Sequence, residues 1–401
     1  MHTSETAMNA FPSAQRHLHL GVVTETYPPE INGVAMTVGR LVDEMTRRGH
    51  RIQLVRPRQG DGDAAADTLD DAFEPPLTTT LVSGVTMPWY RELRLGLPAG
   101  QRLRQLWRRE RPDVLYVATE GLLGWSAIRE AARQNIPVIS GFHTNFHSYS
   151  QHYQIGFLQR PIYDYLRRLH NRTACTLVPT EAQRKTLLAD EFRNVEVLGR
   201  GVDSRLFSPA HRSDELRRAW GLGRNDQAVI YVGRLAAEKN LPLAVHAFRA
   251  MRERNPNLRL IIVGDGPFYQ ELYANERDVI FCGVQTGAQL AEHYASADIF
   301  LFPSETETFG NVTLEAMASG LAVVAFDYAA AQMHIDPGQE GQLVPLGEHD
   351  AYIAAAAALA EQPDRVAQLR VAARRKAQRL DWQGVADRFE WLLRAYGAGR
   401  S

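Results

Sequence analysis

The chain has little of several features that define large classes of protein. Its 401 residues include only two cysteines, Cys175 and Cys282, which are too few for a disulfide framework and lack the spacing of a metal site. The longest apolar stretches, 312–326 and 351–360, carry polar residues and are too short to span a bilayer. The polar beginning of the sequence has no apolar signal-peptide core. These absences argue against a membrane-spanning or disulfide-rich secreted protein and predict a cytoplasmic location.

An excess of charge of one sign is also lacking. Lys+Arg total 45 and Asp+Glu total 46, so the formal net charge is -1, and a nucleic-acid partner is not expected. Lysine itself is rare, because only Lys185, Lys239 and Lys376 stand beside 42 arginines. Each lysine is therefore a candidate for a position that needs a compact point charge and that an arginine guanidinium would not suit.

Short apolar runs rich in β-branched residues alternate along the chain with segments of helical periodicity. This alternation predicts βαβ units and parallel sheets. About thirteen predicted strands exceed one doubly wound sheet, so we expect two Rossmann-like domains. The expected organisation is a disordered tail (1–16), an N-terminal Rossmann-like domain (17–204), a C-terminal Rossmann-like domain (205–381) and a final helix (382–401) that packs back on the N-terminal domain.

The pattern with the strongest chemical content follows the predicted strand Ile299–Phe302. A helix is predicted to begin near Gly310, which makes the backbone N–H groups of Gly310, Asn311 and Val312 a potential anion site. Glu315 lies about one turn inside this helix, where a carboxylate can accept hydrogen bonds from both hydroxyls of a ribose. Glu307 lies on the preceding loop, at the sheet edge where doubly wound folds bind ligands.

Glu307 and Glu315, with seven residues between them, resemble the signature of retaining glycosyltransferases of family 4. The match includes the internal Phe309-Gly310 and the trailing Ala316-Met317-Ala318-Ser319-Gly320. Other segments resemble the family in the same order along the chain: Tyr27-Pro28-Pro29 with Asn32-Gly33-Val34, Phe142-His143-Thr144, Tyr231-Val232-Gly233-Arg234-Leu235 with Glu238-Lys239-Asn240, and Val263-Gly264-Asp265-Gly266-Pro267. The resemblance implies the α/β GT-B fold, in which two Rossmann-like domains face each other across a cleft.

The resemblance also implies an activity. A hexose is transferred from a sugar nucleotide in the C-terminal domain to an acceptor hydroxyl in the N-terminal domain, with retention of the anomeric configuration. Arg234 and Lys239 then bind the diphosphate, and Glu307 binds sugar hydroxyls. Glu315 binds the ribose, and His143 lies on the acceptor side. No residue is an evident covalent nucleophile, so the family's front-face mechanism is expected, in which the leaving phosphate helps to deprotonate the acceptor.

A leaving diphosphate needs fixed positive potential, from a metal ion or from cations and helix N-termini. Arg234 and Lys239, five residues apart after a predicted strand, supply cations, so neither a metal nor another cofactor is expected. His147 and His152 follow His143, but no Cys, Asp or Glu in 141–153 accompanies them to complete a zinc site.

Two further positions complete the expected donor site. Gly33 is predicted to open a helix, where a glycine allows close approach of the backbone to the donor. The backbone around Val284 is expected to contact the nucleotide base, and its side-chain identity does not reveal which base.

Donor and acceptor are predicted less directly. Segments 307–320 and 142–153 look most like bacterial mannosyltransferases and related lipid glycosyltransferases, which favours GDP-mannose and a glycolipid or lipid-linked glycan acceptor. A UDP-sugar donor (glucosyl, glucuronosyl or sulfoquinovosyl) is the alternative, followed by a GT-B epimerase or phosphorylase. A dinucleotide-dependent oxidoreductase is not favoured, because neither the first strand nor Gly264-Asp265-Gly266 leads into a complete Gly-x-Gly-x-x-Gly turn.

Basic residues are concentrated in one stretch, Met87–Arg172, which contains 13 arginines and six acidic residues for a net charge of +7. Trp107 and Phe157 lie among these arginines, a combination that suits an interfacial helix on anionic lipid. Amphipathic helices that bury their apolar faces on their own sheet explain the pattern equally well. The sequence therefore predicts either a peripheral membrane face or a solvated basic face.

Overall fold

A computed structural model of the chain describes residues 16–30, 32–59, 63, 76–87, 90–143, 156–223 and 226–397, with the side chains of 86, 87, 90–93 and 156–159 excepted. The predicted tail, apart from residue 16, and the histidines His147 and His152 lie outside the described residues. The chain forms two compact units. The first comprises the described parts of Met1–Gly141, Arg172–Cys175 and Glu390–Ser401, and the second those of Phe142–Asn171 and Thr176–Phe389.

The first sheet contains seven strands in the order β3-β2-β1-β6-β7-β8-β9. The pairings described for β1 with β2 and β6, for β2 with β3, for β6 with β7 and for β8 with β9 are all parallel. A separate antiparallel hairpin joins β4 to β5. The strands are β1 (His19–Val23), β2 (Arg51–Pro57), β3 (Leu77–Val82), β4 (Gly84–Met87), β5 (Tyr90–Gly96), β6 (Val114–Val117), β7 (Val138–Gly141), β8 (Cys175–Val178) and β9 (Val195–Val197).

Helices alternate with these strands as the periodicity predicts. The first of them is capped by Asn32, whose Oδ1 accepts hydrogen bonds from the N–H groups of Val34 and Ala35 at 3.1 and 2.8 Å. The helices of this part of the chain are α1 (Gly33–Arg47), α2 (Gly100–Arg109), α3 (Leu122–Arg133), α4 (Gly156–His170) and α5 (Glu181–Ala189).

The second sheet has six strands, all described as parallel, in the order β12-β11-β10-β13-β14-β15. Its strands are β10 (Ala228–Val232), β11 (Arg259–Val263), β12 (Ile280–Phe281), β13 (Ile299–Phe302), β14 (Ala322–Phe326) and β15 (Gly341–Val344). Its helices are α6 (Asp214–Ala219), α7 (Leu241–Arg254), α8 (Tyr269–Asn275), α9 (Gly287–Ser296), α10 (Asn311–Ala318), α11 (Ala329–His334), α12 (His349–Ala360), α13 (Pro363–Ala377) and α14 (Trp382–Gly397).

Both sheets follow the Rossmann order, in which the first strand of each lies at the centre. In this topology the chain leaves the central strand on one side and returns on the other, and the crevice between the two loops is where ligands bind. In the second sheet this switch point lies between β10 and β13. The loops that follow these two strands carry Arg234, Lys239 and Glu307, so the fold brings distant sequence motifs to one sheet edge.

The turn after β11 supports the loop after β10. A Cβ atom at Gly264, where φ is +139°, would lie 2.0 Å from the carbonyl oxygen of Gly233. The Leu235 N–H donates to the Asp265 carbonyl at 2.9 Å, which ties the two segments together. The glycines of Val263–Pro267 are therefore explained by close backbone packing beneath Arg234.

From Glu390 onward, the final helix α14 belongs to the first unit and is held there by charged contacts. Glu390 accepts hydrogen bonds from Arg48 at 3.0 Å and Arg394 at 2.7 Å, and these contacts help to lower the pKa of its carboxyl group. His50 is buried, and its Nδ1 accepts a hydrogen bond from the Leu18 N–H at 3.1 Å. Its Nε2 lies 3.3 Å from Glu390, consistent with a neutral ring whose pKa burial has lowered.

The structure adds a hairpin that the sequence did not predict and removes Trp107 from the candidate membrane face. The hairpin β4–β5 was not predicted, because its strands lack the apolar runs that mark the central strands. Trp107 is not available to a membrane, since it is only 1 % exposed and α2 buries it with Leu103 inside the first unit. Arg104 is likewise engaged, because its guanidinium binds the buried Glu130 at 3.0 and 3.1 Å and holds the pKa of that carboxyl at about 2.

Candidate active site

The loop after β10 presents the two predicted cations. Tyr231, buried in β10, donates from its hydroxyl to the Arg234 carbonyl at 3.1 Å and fixes the start of the loop. The Arg234 guanidinium lies 3.1 Å from Glu238 and is about one-third exposed. Lys239 ends a short 3-10 helix, Ala237–Lys239, and the next residue adopts a left-handed conformation with φ of 51°.

Lys239 and Glu307, which lie on the loops after β10 and β13, form an ion pair. Their side chains are only 19 % and 13 % exposed, so each charge is largely removed from water and compensated by the other. The lysine Nζ also lies 3.5 Å from the Thr306 carbonyl oxygen. The predicted diphosphate cation and the predicted sugar-binding carboxylate are therefore direct partners in the absence of substrate.

Further contacts hold the same two loops. Glu305 accepts a hydrogen bond from Asn240 at 3.1 Å and lies 2.5 Å from His349, at the start of α12. Tyr328 donates from its hydroxyl to the Glu307 carbonyl at 3.0 Å. These contacts fix the backbone on which Glu307 and Lys239 stand, so the two side chains are held in place from several sides.

The helix α10 begins as predicted, at Asn311, with Gly310 as its N-cap. Gly310 has φ of 93°, a conformation that a glycine adopts without strain. Gly310 supplies no capping side chain for the first N–H groups of the helix. These backbone donors and the helix dipole suit an anionic ligand.

Glu315 lies inside α10 and is partly buried. It accepts a hydrogen bond from the buried Tyr294 hydroxyl at 3.1 Å, and removal from water raises the pKa of its carboxyl from 4.5 to about 7. A carboxylate in such surroundings gains by accepting hydroxyl hydrogen bonds from a ligand. This environment fits the predicted ribose contact.

His143 follows β7 and belongs to the same compact unit as the residues above. Its backbone carbonyl accepts a hydrogen bond from the Thr308 hydroxyl at 3.0 Å, which places it beside the Glu307 loop. Burial, with smaller contributions from Arg200 and His170, lowers the pKa of its ring to about 3. The imidazole is therefore neutral near pH 7, and suited to hydrogen bonding rather than to carrying positive charge.

The remaining two predicted donor contacts are Gly33 and Val284. Gly33 is the first residue of α1 in the first unit, and Asn32 already accepts from the two N–H groups that follow it. Val284 follows β12 in the second unit and is 54 % exposed. Their roles toward a nucleotide remain predictions.

Glu25 was given no role from the sequence, yet it occupies a special environment at the edge of the first sheet. It is 5 % exposed and accepts a hydrogen bond from the Leu123 N–H at the start of α3 at 3.0 Å. Burial raises the pKa of this carboxyl from 4.5 to about 7.

Sequence reasoning also missed Tyr294, Glu305 and Arg200, because their partners are distant in sequence. Across the part of the chain that the structure describes, there is no cluster of three or more His, Cys, Asp or Glu residues able to hold a metal ion. Nor is any of the helices described there long and apolar enough to cross a bilayer.

Comparison with known proteins agrees with this geometry. Residues 31–206 match the model of glycosyltransferase family 4, and residues 226–362 match that of glycosyl transferases group 1. The chain is 33% identical over 384 residues to a GDP-mannose-dependent alpha-mannosyltransferase of Mycobacterium tuberculosis, covering 96% of this chain and 97% of that one. It is 27% identical over 362 residues to an alpha-monoglucosyldiacylglycerol synthase of Streptococcus pneumoniae, covering 86% of this chain and 79% of that one.

Structural comparison shows the same fold. The Anabaena protein HepE, solved in complex with UDP, superimposes with a TM-score of 0.74 at 19% identity, covering 94% of this chain and all of that one. The protein is thus a glycosyltransferase with two Rossmann-like domains of the GT-B fold, and its activity is that of a hexosyltransferase. Within that class, the chain belongs to glycosyltransferase family 4.

The raised pKa of Glu315 predicts opposite effects of Glu315→Gln on stability and binding. Below pH 4.5 the carboxyl is protonated in both folded and unfolded states, whereas above about pH 7 the folded protein bears the cost of a desolvated carboxylate. The variant should therefore be more stable than the wild type by about 1–3 kcal/mol at pH 8, and not at pH 4. Its affinity for nucleoside diphosphate should fall, because the amide keeps only one acceptor oxygen for the two ribose hydroxyls.

Denaturant unfolding at the two pH values and calorimetric titration with GDP and UDP measure both effects. Glu25→Gln is the matched control, since its carboxyl has the same raised pKa but lies in the first unit. It should gain stability at pH 8 and bind nucleoside diphosphate normally. Unchanged affinity in Glu315→Gln would contradict the ribose role.

Proposed function

We propose that the protein transfers mannose from GDP-mannose to a hydroxyl of a glycolipid or lipid-linked glycan, with retention of configuration and without a metal ion. The observation that carries the proposal is the Lys239–Glu307 pair at the switch point of the second sheet. The named activity of the mycobacterial relative, which matches almost the whole chain, supports the choice of donor.

The chemistry requires a cation for the leaving group and hydrogen-bond acceptors for the sugar. In the proposed complex the diphosphate binds Arg234, Lys239 and the N–H groups at the start of α10, and Lys239 exchanges its carboxylate partner for phosphate. Glu307 is then available to accept hydrogen bonds from sugar hydroxyls. Glu315 accepts from the ribose, and the neutral ring of His143 contacts the sugar or the acceptor.

The proposed transfer takes place on one face of the sugar. The bond between C1 and the diphosphate oxygen breaks, and its electron pair stays on the phosphate. The acceptor oxygen forms the new bond to C1, and the acceptor proton passes to the leaving phosphate. Arg234 and Lys239 stabilise the negative charge that develops in this step, which is the role otherwise taken by a metal ion.

A UDP-sugar is the second candidate donor. The relative from Streptococcus pneumoniae is named for glucosyl transfer, and the structural neighbour from Anabaena was solved with UDP. The named sugar and the bound base therefore vary among proteins similar to this chain.

Donor hydrolysis with GDP-mannose, UDP-glucose and UDP-glucuronate tests the choice of donor. We expect GDP-mannose to be hydrolysed fastest, and GDP to raise the melting temperature more than UDP does. Activity should persist in a chelator, because the cations are supplied by the protein. Faster turnover of UDP-glucose would favour the alternative donor, and loss of activity that a divalent ion restores would refute the metal-free mechanism.

The proposed acceptor brings the enzyme to a membrane surface, at the cytoplasmic face. The name of the Streptococcus relative includes diacylglycerol, which supports a lipid acceptor. In the first unit, Arg102, Arg108 and Arg109 of α2 are exposed, and Leu122 is 48 % exposed at the start of α3. Basic residues near an anionic surface contribute about 1 kcal/mol each, screened by salt.

Sedimentation with vesicles tests this surface. The wild type should sediment with vesicles that contain phosphatidylglycerol at low salt, and less with neutral vesicles or at high salt. Reversing the charge of Arg102, Arg108 and Arg109 should abolish binding but leave donor hydrolysis unchanged. Reversal of the exposed Arg218, Arg375 and Arg379 in the second unit is the control with the same change in net charge. Equal loss in both variants, or no binding by the wild type, would refute a specific membrane face.

A further inference from the structure

Arg200 is a buried arginine at the edge of the candidate active site. It is only 7 % exposed and lies in the segment that leads into the second sheet. The adjacent Gly201 is fixed by close packing, because a Cβ atom there would lie 2.7 Å from the backbone of Asp381 and Trp382. Val202 N–H also donates to the Leu380 carbonyl at 2.8 Å. The backbone that carries Arg200 is thus held firmly.

The Arg200 guanidinium points at the beginning of α10. Its Nη1 donates to the Asn311 side-chain oxygen at 3.2 Å, and its Cζ lies 5.6 Å from the centroid of the Phe309 ring. Asn311 is the first residue of α10, and Phe309 directly precedes the N-cap Gly310. A buried cation therefore stands beside the N–H groups that form the predicted anion site, and its charge adds to that of the helix dipole.

The charge of Arg200 also reaches the acceptor side of the site. After burial, the Arg200 guanidinium is the next contribution that lowers the pKa of the His143 ring. Arginine forms bidentate hydrogen bonds with phosphate, so a buried guanidinium beside the first residue of α10 suits a diphosphate that binds there.

We propose that Arg200 is a third cation of the sugar-nucleotide site, which binds the donor diphosphate from the α10 side while Arg234 and Lys239 bind it from the β10 loop. This inference rests on the proposed function, because it requires a nucleoside-diphosphate sugar at α10. It does not depend on whether the base is guanine or uracil. Arg200 also holds the side chain of Asn311 at the first position of α10.

The test compares Arg200→Gln and Arg200→Lys with Arg374→Gln. Arg374 is the matched control, because it touches the opposite end of α10, donating to the Ala318 carbonyl at 2.7 Å and to the carbonyls of Ser204 and Phe207. Titration calorimetry with GDP and UDP, kcat/KM for donor hydrolysis and thermal unfolding are measured for each variant.

Arg200→Gln should bind nucleoside diphosphate about tenfold more weakly and lose about 100-fold in kcat/KM. Arg200→Lys, which keeps the charge but loses the planar fork, should recover part of both. Arg374→Gln should lower stability and leave the affinity of the folded protein within about twofold. In Arg200→Gln, the pKa of His143 measured by NMR should rise, because a neighbouring positive charge is removed.

Wild-type affinity and turnover in Arg200→Gln would overturn the proposal and leave Arg200 a structural residue. If Arg200→Gln does not fold, Arg200→Lys decides, since unchanged affinity and kcat/KM in that variant would contradict bidentate phosphate binding. A wild type that neither binds GDP or UDP nor hydrolyses any donor would refute the proposed function itself, which is a different outcome from failure of the Arg200 variants alone.

Discussion

The active site depends on the ion pair between Lys239 and Glu307. These residues are 68 positions apart, and the Rossmann order of the second sheet brings them together because their loops follow β10 and β13, on either side of the switch point. Each charge is mostly buried, and the loss of either removes a compensating charge from the other in a region of low dielectric. In the proposed mechanism, this pair supplies the cation for phosphate and the anion for sugar.

Close backbone packing makes this arrangement possible. Gly264 lets the turn after β11 lie directly against Gly233, and this contact sets the course of the loop that carries Arg234 and Lys239. On the other side, Glu305 links Asn240 to His349 and restrains the loop of Glu307. The charged side chains therefore stand on rigid backbone, which limits the reorganisation needed when charge develops on the leaving group.

Much of this account was predictable from local sequence. Strand and helix periodicity predicted two parallel sheets, and the spacing of Glu307, Gly310 and Glu315 predicted a helix N-terminus with flanking carboxylates. Contacts between distant residues were not predictable, so neither Arg200 nor Glu25 received a role. The sequence left Trp107 either on a membrane face or in a helix packed on its own sheet, because amphipathic periodicity does not distinguish the two, and the structure shows that Trp107 is buried.

A double-mutant cycle with Lys239→Met and Glu307→Gln tests the central claim most directly. The free energy of unfolding is measured for the wild type, both single variants and the double variant, without ligand and with GDP at a concentration that saturates each. Without ligand, we expect a coupling energy of about 1–3 kcal/mol between the two residues, and with GDP bound we expect the coupling to shrink, because Lys239 then pairs with the diphosphate. Absence of coupling in the free protein, or coupling that GDP leaves unchanged, would contradict the exchange of partners on which the mechanism rests.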